Sequence, residues 1–390
     1  MSNINAKTVL GILGSGQLSR MTALAAYNFG IQTHIYCDSK DHNSPASLIS
    51  SQTTRGSLNN LDQILYFAKQ CDFITLENEF VDSKILQYID ETFPNKLFPS
   101  SESFILIGDK ISEKENFKKA GIPIVPFQKI NSKNDLIEFA KIHSYPIILK
   151  KSKGGYDGFG NLKIKSETDI DSSLKHFDFP KYDLLVEKFI IYEKELALVA
   201  AKNSTEVVLY PIVETHQDNH ICHFVTSPSD ISTNVALEIQ CYTNLALNIL
   251  KTRGLFAFEF FLTKDNKVYL NESAPRPHNS AHYTLDACQT SQFENHVRSI
   301  LDLPLGSTEQ KYPAVVMLNL LGTNNTHNQN NQIANLQPLN EFINKKNQYL
   351  HLYGKENSKP GRKMGHLTLC GNDLKELMKQ AQRLKEIYTL

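Results

Sequence analysis

The chain has 390 residues, of which 41 are basic, 41 acidic and 41% hydrophobic. That length supports two or three domains with a sizeable core. The balanced charge gives a nucleic-acid partner no support, and the six scattered cysteines, without CxxC or zinc spacing, fit a reducing compartment. The polar MSNINAKT start lacks a secretory apolar core. No apolar run approaches the ~18 residues of a membrane span. A soluble, cytoplasmic protein without membrane contact is the expectation.

In chain order, residues 8–14 (TVLGILG) read as a buried strand and Gly14-Ser15-Gly16 as a turn. Gln17 to Phe29 reads as a helix ended by Gly30. Thr33 to Cys37 is a second strand, Leu61 to Gln70 a helix and Phe73 to Leu76 a third strand. This alternation predicts a small parallel α/β domain over roughly the first hundred residues. Lys110 to Ala120 reads as a charged helix stopped by Gly121 and Pro123, and Asn134 to His143 as another helix. Strands follow at Pro146–Lys151 and Leu162–Lys165, and strand-rich sequence continues to about residue 272. Asn324 to Gln332 is low in complexity and reads as a solvated loop. A helix is expected from Asp373 onward.

The segment GLFAFEFFLTKDNKVYLNE reads as a β-hairpin. With Asp265-Asn266 as a two-residue loop, facing residues share one sum of numbers, so Glu259 falls opposite Glu272. Two facing carboxylates repel and weaken a sheet. A divalent cation between them removes that penalty, and Mg²⁺ held by carboxylates and phosphate oxygens is the usual phosphotransfer arrangement. The bland alternative is one acid lying past the strand end in water. Residues 154–160 (GGYDGFG) place four glycines in seven residues between two strands. Their N–H groups can turn toward phosphate oxygens, and Lys150 ends the preceding strand beside them. Gly14-Ser15-Gly16-Gln17 presents N–H groups at a helix N-terminus. With Asp38 after the second strand it also mimics a dinucleotide fingerprint, but Ser19 occupies the third glycine position, so a phosphate or substrate site is the preferred reading. The strand Leu185 to Ile190 can offer its backbone to a purine edge, with Glu195 for ribose hydroxyls. Lys355, Lys359, Arg362 and Lys363 crowd a Gly/Pro loop that can grip a phosphate.

Together these stretches closely resemble the 5-(carboxyamino)imidazole ribonucleotide synthetases, a purine-biosynthesis family of the ATP-grasp superfamily. The matching segments are GILGSGQLSRM, CDFITLENE, GIPIVPF, YPIILK with GGYDGFG, LLVEKFI, YPIVETH, FAFEFF, NESAPRPHNSAH, TSQFENHVRSILDLPLG and YGKENSKPGRKMGH. The resemblance implies a mixed α/β and α+β chain with three domains. These are a Rossmann-like pre-ATP-grasp domain (1–105), an ATP-grasp domain (106–305, flap subdomain about 125–185) and a small β-rich C-terminal domain (306–390). It implies ATP-dependent carboxylation of aminoimidazole ribonucleotide by bicarbonate, through carboxyphosphate, in a homodimer that uses Mg²⁺ or Mn²⁺.

By the same resemblance Glu259 and Glu272 hold the metal, with Asn271 beside them. On an ideal strand Asn271 points away from Glu272, so its role needs a twist at the strand end. Lys110, Lys150 and the loop Gly155, Tyr156, Asp157, Gly158, Phe159, Gly160 and Asn161 hold ATP phosphates. Glu187, Lys188, Phe189 and Ile190 face adenine, Glu195 the ribose, and His216 a further nucleotide position. Tyr156, Asp157, Arg276, His278, Asn279 and Ser280 surround the reacting groups. Gln17, Leu18, Glu79, Lys355, Arg362 and Lys363 take the ribonucleotide. Phe159 and Asn161 stand where the family usually has Lys and Gln. Lys110 and Lys359 stand for the frequent Arg, and lose its bidentate fork; Ala281 replaces Gly. Rival readings are another ATP-grasp ligase, a nucleotide-binding protein without turnover, and an NAD-dependent dehydrogenase.

Overall fold

Near-continuous apolar runs suit strands buried on both faces of a parallel sheet, and the chain begins that way. The computed structural model describes residues 4–41, 43–77, 81–154, 160–218, 220–322, 332–333 and 346–387. Four parallel strands, β1 (Val9–Leu13), β2 (Gln32–Cys37), β3 (Gln52–Arg55) and β4 (Phe73–Leu76), run in the order β3-β2-β1-β4. Between and after them lie α1 (Gln17–Tyr27), α2 (Leu61–Lys69), α3 (Ser83–Thr92) and α4 (Ser101–Ile107). Leu10, Ile12 and Ile35 pack with Met21 and Ala26 of α1, while Leu13, Tyr36 and Ile74 pack with Phe67 and Leu86 on the other side. β3 lacks an apolar signature because it is an edge strand of polar residues, fixed by backbone pairing to β2.

The chain continues through α5 (Lys110–Lys119), β5 (Phe127–Ile130), α6 (Lys133–His143), β6 (Ile147–Lys151), β7 (Asn161–Ile164), α7 (Ile170–His176) and β8 (Leu184–Lys188). The strands form an antiparallel sheet ordered β5-β8-β6-β7. A capping box between Ser132 and Asp135 fixes the start of α6. Leu136 and Phe139 of α6 and Ile170 of α7 cover one face of the sheet.

The remaining elements are β9 (Lys194–Lys202), β10 (Val207–Leu209), β11 (Val213–Asp218), β12 (Ile221–Ser227), α8 (Thr233–Ile249), β13 (Gly254–Leu262) and β14 (Val268–Ala274). After them come α9 (Thr284–Ala287), α10 (Gln292–Leu301), β15 (Ala314–Leu321), β16 (Gln332–Ile333), β17 (Gln348–Leu352), β18 (Asn357–Ser358), β19 (Lys363–Gly371) and α11 (Leu374–Ile387). Among the described residues one sheet runs β14-β13-β9-β11-β12-β15-β19-β17, with β10 beside β9. The C-terminal strands therefore extend the central sheet through the β12–β15 pairing instead of building a separate one. β16 pairs with β18, so Gln332 belongs to a short strand; the rest of the low-complexity stretch lies outside the described residues.

The strand-rich reading to residue 272 needs correction at α8. Val235, Ile239, Thr243, Ala246 and Leu247 recur at helical spacing and are all buried, and Ser232 caps the first turn. Branched residues within that stretch resemble strand sequence, and the 3.6-residue period decides against it. No described helix is long and apolar enough to cross a membrane.

Candidate active site

Strand alternation builds the floor of the site. Phe256, Phe258 and Phe260 of β13 enter the core against Val235 and Ile239 of α8. Ala257, Glu259 and Phe261, one residue out of phase, line a cleft of about 1360 Å³. Glu259 pairs with Glu272 of β14, as expected, but the route differs. The hairpin loop has three residues, not two. Asn266 takes a left-handed φ of 58°, and the N–H of Thr263 bonds the Lys267 carbonyl. This sets Leu262 opposite Val268 and Phe260 opposite Leu270, one residue off the expected register. A bulge between Glu259 and Phe260, with Asn271 as the extra residue, then restores Glu259 opposite Glu272.

The bulge also resolves the orientation of Asn271. It lines the cleft with both acids, and its Oδ1 is buried without a hydrogen-bond partner. An orphaned amide oxygen beside two carboxylates is a donor set of hard oxygens suited to Mg²⁺ or Mn²⁺. Lys110 Nζ sits 2.6 Å from Glu272 Oε2. Its charge holds the Glu272 carboxyl down to about 2, while burial, and then the Glu272 and Glu195 charges, push Glu259 up to about 8. Among the described residues Glu272 thus has a lysine in direct contact, whereas Glu259 has none.

Beneath the cleft lies a buried charge cluster. Glu187 Oε2 is 2.9 Å from Lys150 Nζ, and Glu187 Oε1 is 3.0 Å from Lys114 Nζ. Burial opposes the Glu187 charge, but the two ammonium groups hold its carboxyl down to about 2. Lys114 was not anticipated from sequence, nor was Glu113, whose Oε1 accepts from the Ser273 N–H at 2.7 Å and Oγ at 2.6 Å. Both lie one helical turn from Lys110, and that spacing was the available signal. Lys188, Phe189, Ile190 and Glu195 line the same cleft. Tyr192 donates its hydroxyl to Glu195 and stacks on Phe261, with ring centroids 4.5 Å apart.

On the opposite wall, His278 Nε2 is 3.4 Å from Glu259 Oε1 and its Nδ1 is 2.8 Å from Ser280 Oγ. Gln292 fixes the His278 backbone from both sides, accepting from its N–H and donating to its carbonyl. Asn279 and Asn319 exchange side-chain hydrogen bonds. Arg276, Gln17, Leu18 and Lys363 also line the cleft.

Some expected residues stand elsewhere. His216 is not among the lining residues; its Nε2 meets Thr226 Oγ1 at 3.1 Å, while Thr215 and Gln217 reach the cleft. Strand alternation is the reason: Thr215 and Gln217 share one face and His216 takes the other. Lys355 and Arg362 lie off the lining: Lys355 Nζ donates to the Lys363 carbonyl at 2.7 Å, and Arg362 to the Asn357 carbonyl at 2.7 Å. The N-terminus of α1 is already occupied by a carboxyl group, since the Gly16 and Leu18 N–H groups donate to the Glu77 side-chain oxygens at 2.5 and 3.2 Å. Asn161 lines the cleft and Gly160 joins it to the loop. Glu79 and Gly155, Tyr156, Asp157, Gly158 and Phe159 lie outside the described residues.

Three family models match the chain in order. They are a ribonucleotide synthetase preATP-grasp domain over residues 7–108, an ATP-grasp domain over 115–293 and a phosphoribosylaminoimidazole carboxylase C-terminal domain over 315–380. The chain is 38% identical to a phosphoribosylaminoimidazole carboxylase of Candida glabrata over 99% of its own length and 67% of that protein. It is 35% identical to an N5-carboxyaminoimidazole ribonucleotide synthase of Synechococcus elongatus, covering 96% and 93% of the two chains. Its fold matches an N5-carboxyaminoimidazole ribonucleotide synthetase solved with ADP, at TM-score 0.89 and 33% identity over 100% and 99% of the chains. An Aspergillus clavatus N5-carboxyaminoimidazole synthase solved with ADP and 5-aminoimidazole ribonucleotide matches at TM-score 0.88 and 33% identity, over 98% and 99%.

Proposed function

The chain belongs to the N5-carboxyaminoimidazole ribonucleotide synthase family of ATP-grasp enzymes, and from that premise we infer its reaction and the residues that perform it. It is an ATP-dependent ligase of purine biosynthesis. Bicarbonate and 5-aminoimidazole ribonucleotide become N5-carboxyaminoimidazole ribonucleotide, while ATP becomes ADP and phosphate. The observation that carries the reading is the Glu259–Glu272 pair, with the orphaned Asn271 oxygen, in one cleft with Lys110, Lys150 and Arg276.

Bicarbonate is a poor electrophile. Its oxygen attacks the γ-phosphorus, the bond to ADP breaks, and the resulting carboxyphosphate carries a good leaving group. The amine nitrogen then bonds to the carboxyl carbon, the C–O bond to phosphate breaks, and the nitrogen loses a proton. A Mg²⁺ or Mn²⁺ ion held by Glu259, Glu272 and Asn271 supplies neutralisation of phosphate charge when bound. Lys110 and Lys150 meet phosphate oxygens from the cleft wall, and Glu187 keeps Lys150 aimed there. Glu195 takes the ribose and Lys188 to Ile190 the adenine. Arg276 presents a planar fork to the reacting carboxylate. His278, braced by Gln292 and Ser280, stands where a proton leaves the amine. Lys363, which lines the cleft, receives the ribonucleotide phosphate, with Lys355 bonded to its carbonyl and Arg362 to that of Asn357 behind it. The free state of all six cysteines supports a reducing, cytoplasmic setting. Family resemblance supports a homodimer, and sedimentation equilibrium at twice the chain mass is the expected result.

The decisive assay follows ADP release with each substrate omitted in turn. ADP is expected only when aminoimidazole ribonucleotide and bicarbonate are both present. Equal turnover with formate and glycinamide ribonucleotide would overturn the assignment.

A further inference from the structure

We propose that one face of α5 fixes the register of the metal-binding strand, with Lys114 as a positioning residue that joins this strand to the nucleotide site. Lys110, Glu113 and Lys114 share that face, being one turn apart. They grip three successive residues of β14. Lys114 Nζ donates to the Asn271 carbonyl at 3.0 Å, Lys110 meets the Glu272 carboxylate at 2.6 Å, and Glu113 accepts from both Ser273 donors.

Asn271 is the extra residue of the bulge, and a bulge leaves such a residue outside the ladder. Lys114 supplies the donor that its carbonyl needs. Without the bulge the hairpin register would continue unchanged. Glu259 would then face Asn271, and Glu272 would turn to the other side of the sheet. Holding the bulge is therefore the condition for the two acids to meet. Lys114 is 1% exposed, and a buried ammonium must keep its partners. Its second partner is Glu187, which also holds Lys150. One lysine thus sets two distances at once, that of the acids and that of the phosphate-facing cation.

The N-terminal end of the same helix also meets Ser152, just past β6 on the way into the glycine loop. The Lys110 N–H donates to the Ser152 carbonyl at 2.9 Å, and Ser152 Oγ to the helix-capping Asp109 at 2.7 Å. α5 is consequently the shared support of metal, nucleotide and loop base.

The inference rests on the metal reading above, and its test separates the two. Mn²⁺ binding to the ADP-loaded protein is measured by electron paramagnetic resonance, alongside hydrogen exchange of residues 270–274 and the split between kcat and KM for ATP. Lys114→Met keeps the apolar stem and removes the charge. It is expected to weaken Mn²⁺ binding by about tenfold to a hundredfold, the range for residues that orient metal ligands, to speed exchange at 270–274, and to lower kcat more than it raises KM. Glu113→Ala should weaken Mn²⁺ binding similarly, and Glu113→Gln, which keeps an acceptor for Ser273, should restore it to within about threefold, well inside that range. If Lys114→Met fails to fold, the Glu113 pair decides the question. Unchanged Mn²⁺ affinity and exchange in both disruptive variants, with Mn²⁺ lost in Glu272→Gln, would refute the clamp and leave the metal reading intact. Retained Mn²⁺ binding in Glu272→Gln would remove the metal reading itself, and the clamp with it.

Discussion

Glu259→Gln should make the metal-free protein more stable at alkaline pH. Burial and the neighbouring Glu272 and Glu195 charges push the Glu259 carboxyl from an ordinary value of 4.5 to about 8. Folding therefore favours the protonated acid. The stability that Glu259 contributes is whole below about pH 4.5 and is lost as pH rises through about 8. The full interval corresponds to about 5 kcal/mol at ~1.4 kcal/mol per unit. Glu272 shares the coupling and Glu259 keeps some hydration, so about 2–3 kcal/mol at pH 8 is the working figure. The substitution removes this charge and leaves the shape. In EDTA, thermal melting should rise by roughly 4–12 °C at pH 8.5, at ~2–4 °C per kcal/mol, and the gap should close near pH 5. Mn²⁺ with ADP should reverse the order, because only the unsubstituted protein gains the binding free energy. Equal melting at pH 8.5, or a variant weaker at every pH, would show that the two acids do not oppose each other in the folded protein.

Arg276→Ala should leave ADP binding by calorimetry unchanged while carboxylated product falls by about a hundredfold, as for a lost charge-stabilising donor; unaltered product formation would show that the substrate lies elsewhere. Lys363→Ala should raise KM for aminoimidazole ribonucleotide by about tenfold, the loss of one charge-assisted hydrogen bond, with KM for ATP unmoved; a shift in the ATP value alone would reverse the assignment. Glu187→Gln should lower stability in urea by about 3–5 kcal/mol, since two buried ammonium groups lose their counter-charge. The stability from Glu187 is present above about pH 4.5 and declines as pH falls toward 2, so an unchanged midpoint at pH 7 would contradict the cluster.

Much of the first domain was legible because its signals are local. β1 and β4 are largely apolar runs ended by a glycine and an acid, β2 is rich in β-branched and aromatic residues, and α1 and α2 carry helical periodicity between them. β3 was not legible, because its strand character comes from pairing with β2 and from no property of Gln-Thr-Thr-Arg. α8 was misread because a local β-branched composition hid a longer period. The merging of the C-terminal strands with the central sheet is set by the β12–β15 and β15–β19 pairings, between strands about ninety and fifty residues apart, a distance no local pattern spans.

The site divides along the same line. Motif residues such as Lys150, Glu195, Arg276 and His278 carry their chemistry in their type and neighbours, and the fold gathers them in one cleft. Residues that act by holding others are harder to read: Lys114 and Glu113 have partners far along the chain and only their helical spacing from Lys110 marks them, while Gln292 lies in a matching segment that does not reveal its hold on the His278 backbone. The facing acids show how the two kinds of information meet. The expected pairing of Glu259 with Glu272 came from a two-residue loop and an unbroken ladder, and both are absent. A three-residue loop shifts the register by one, and the bulge at Asn271 shifts it back. Each change alone would turn one acid away from the other. The pair is thus specified twice, by a turn that Asn266 permits through its left-handed backbone and by a bulge that a helix 157 residues away holds in place. A substitution at Asn266 and one at Lys114 should therefore perturb the same carboxylate pair, although neither residue lies among the proposed metal donors.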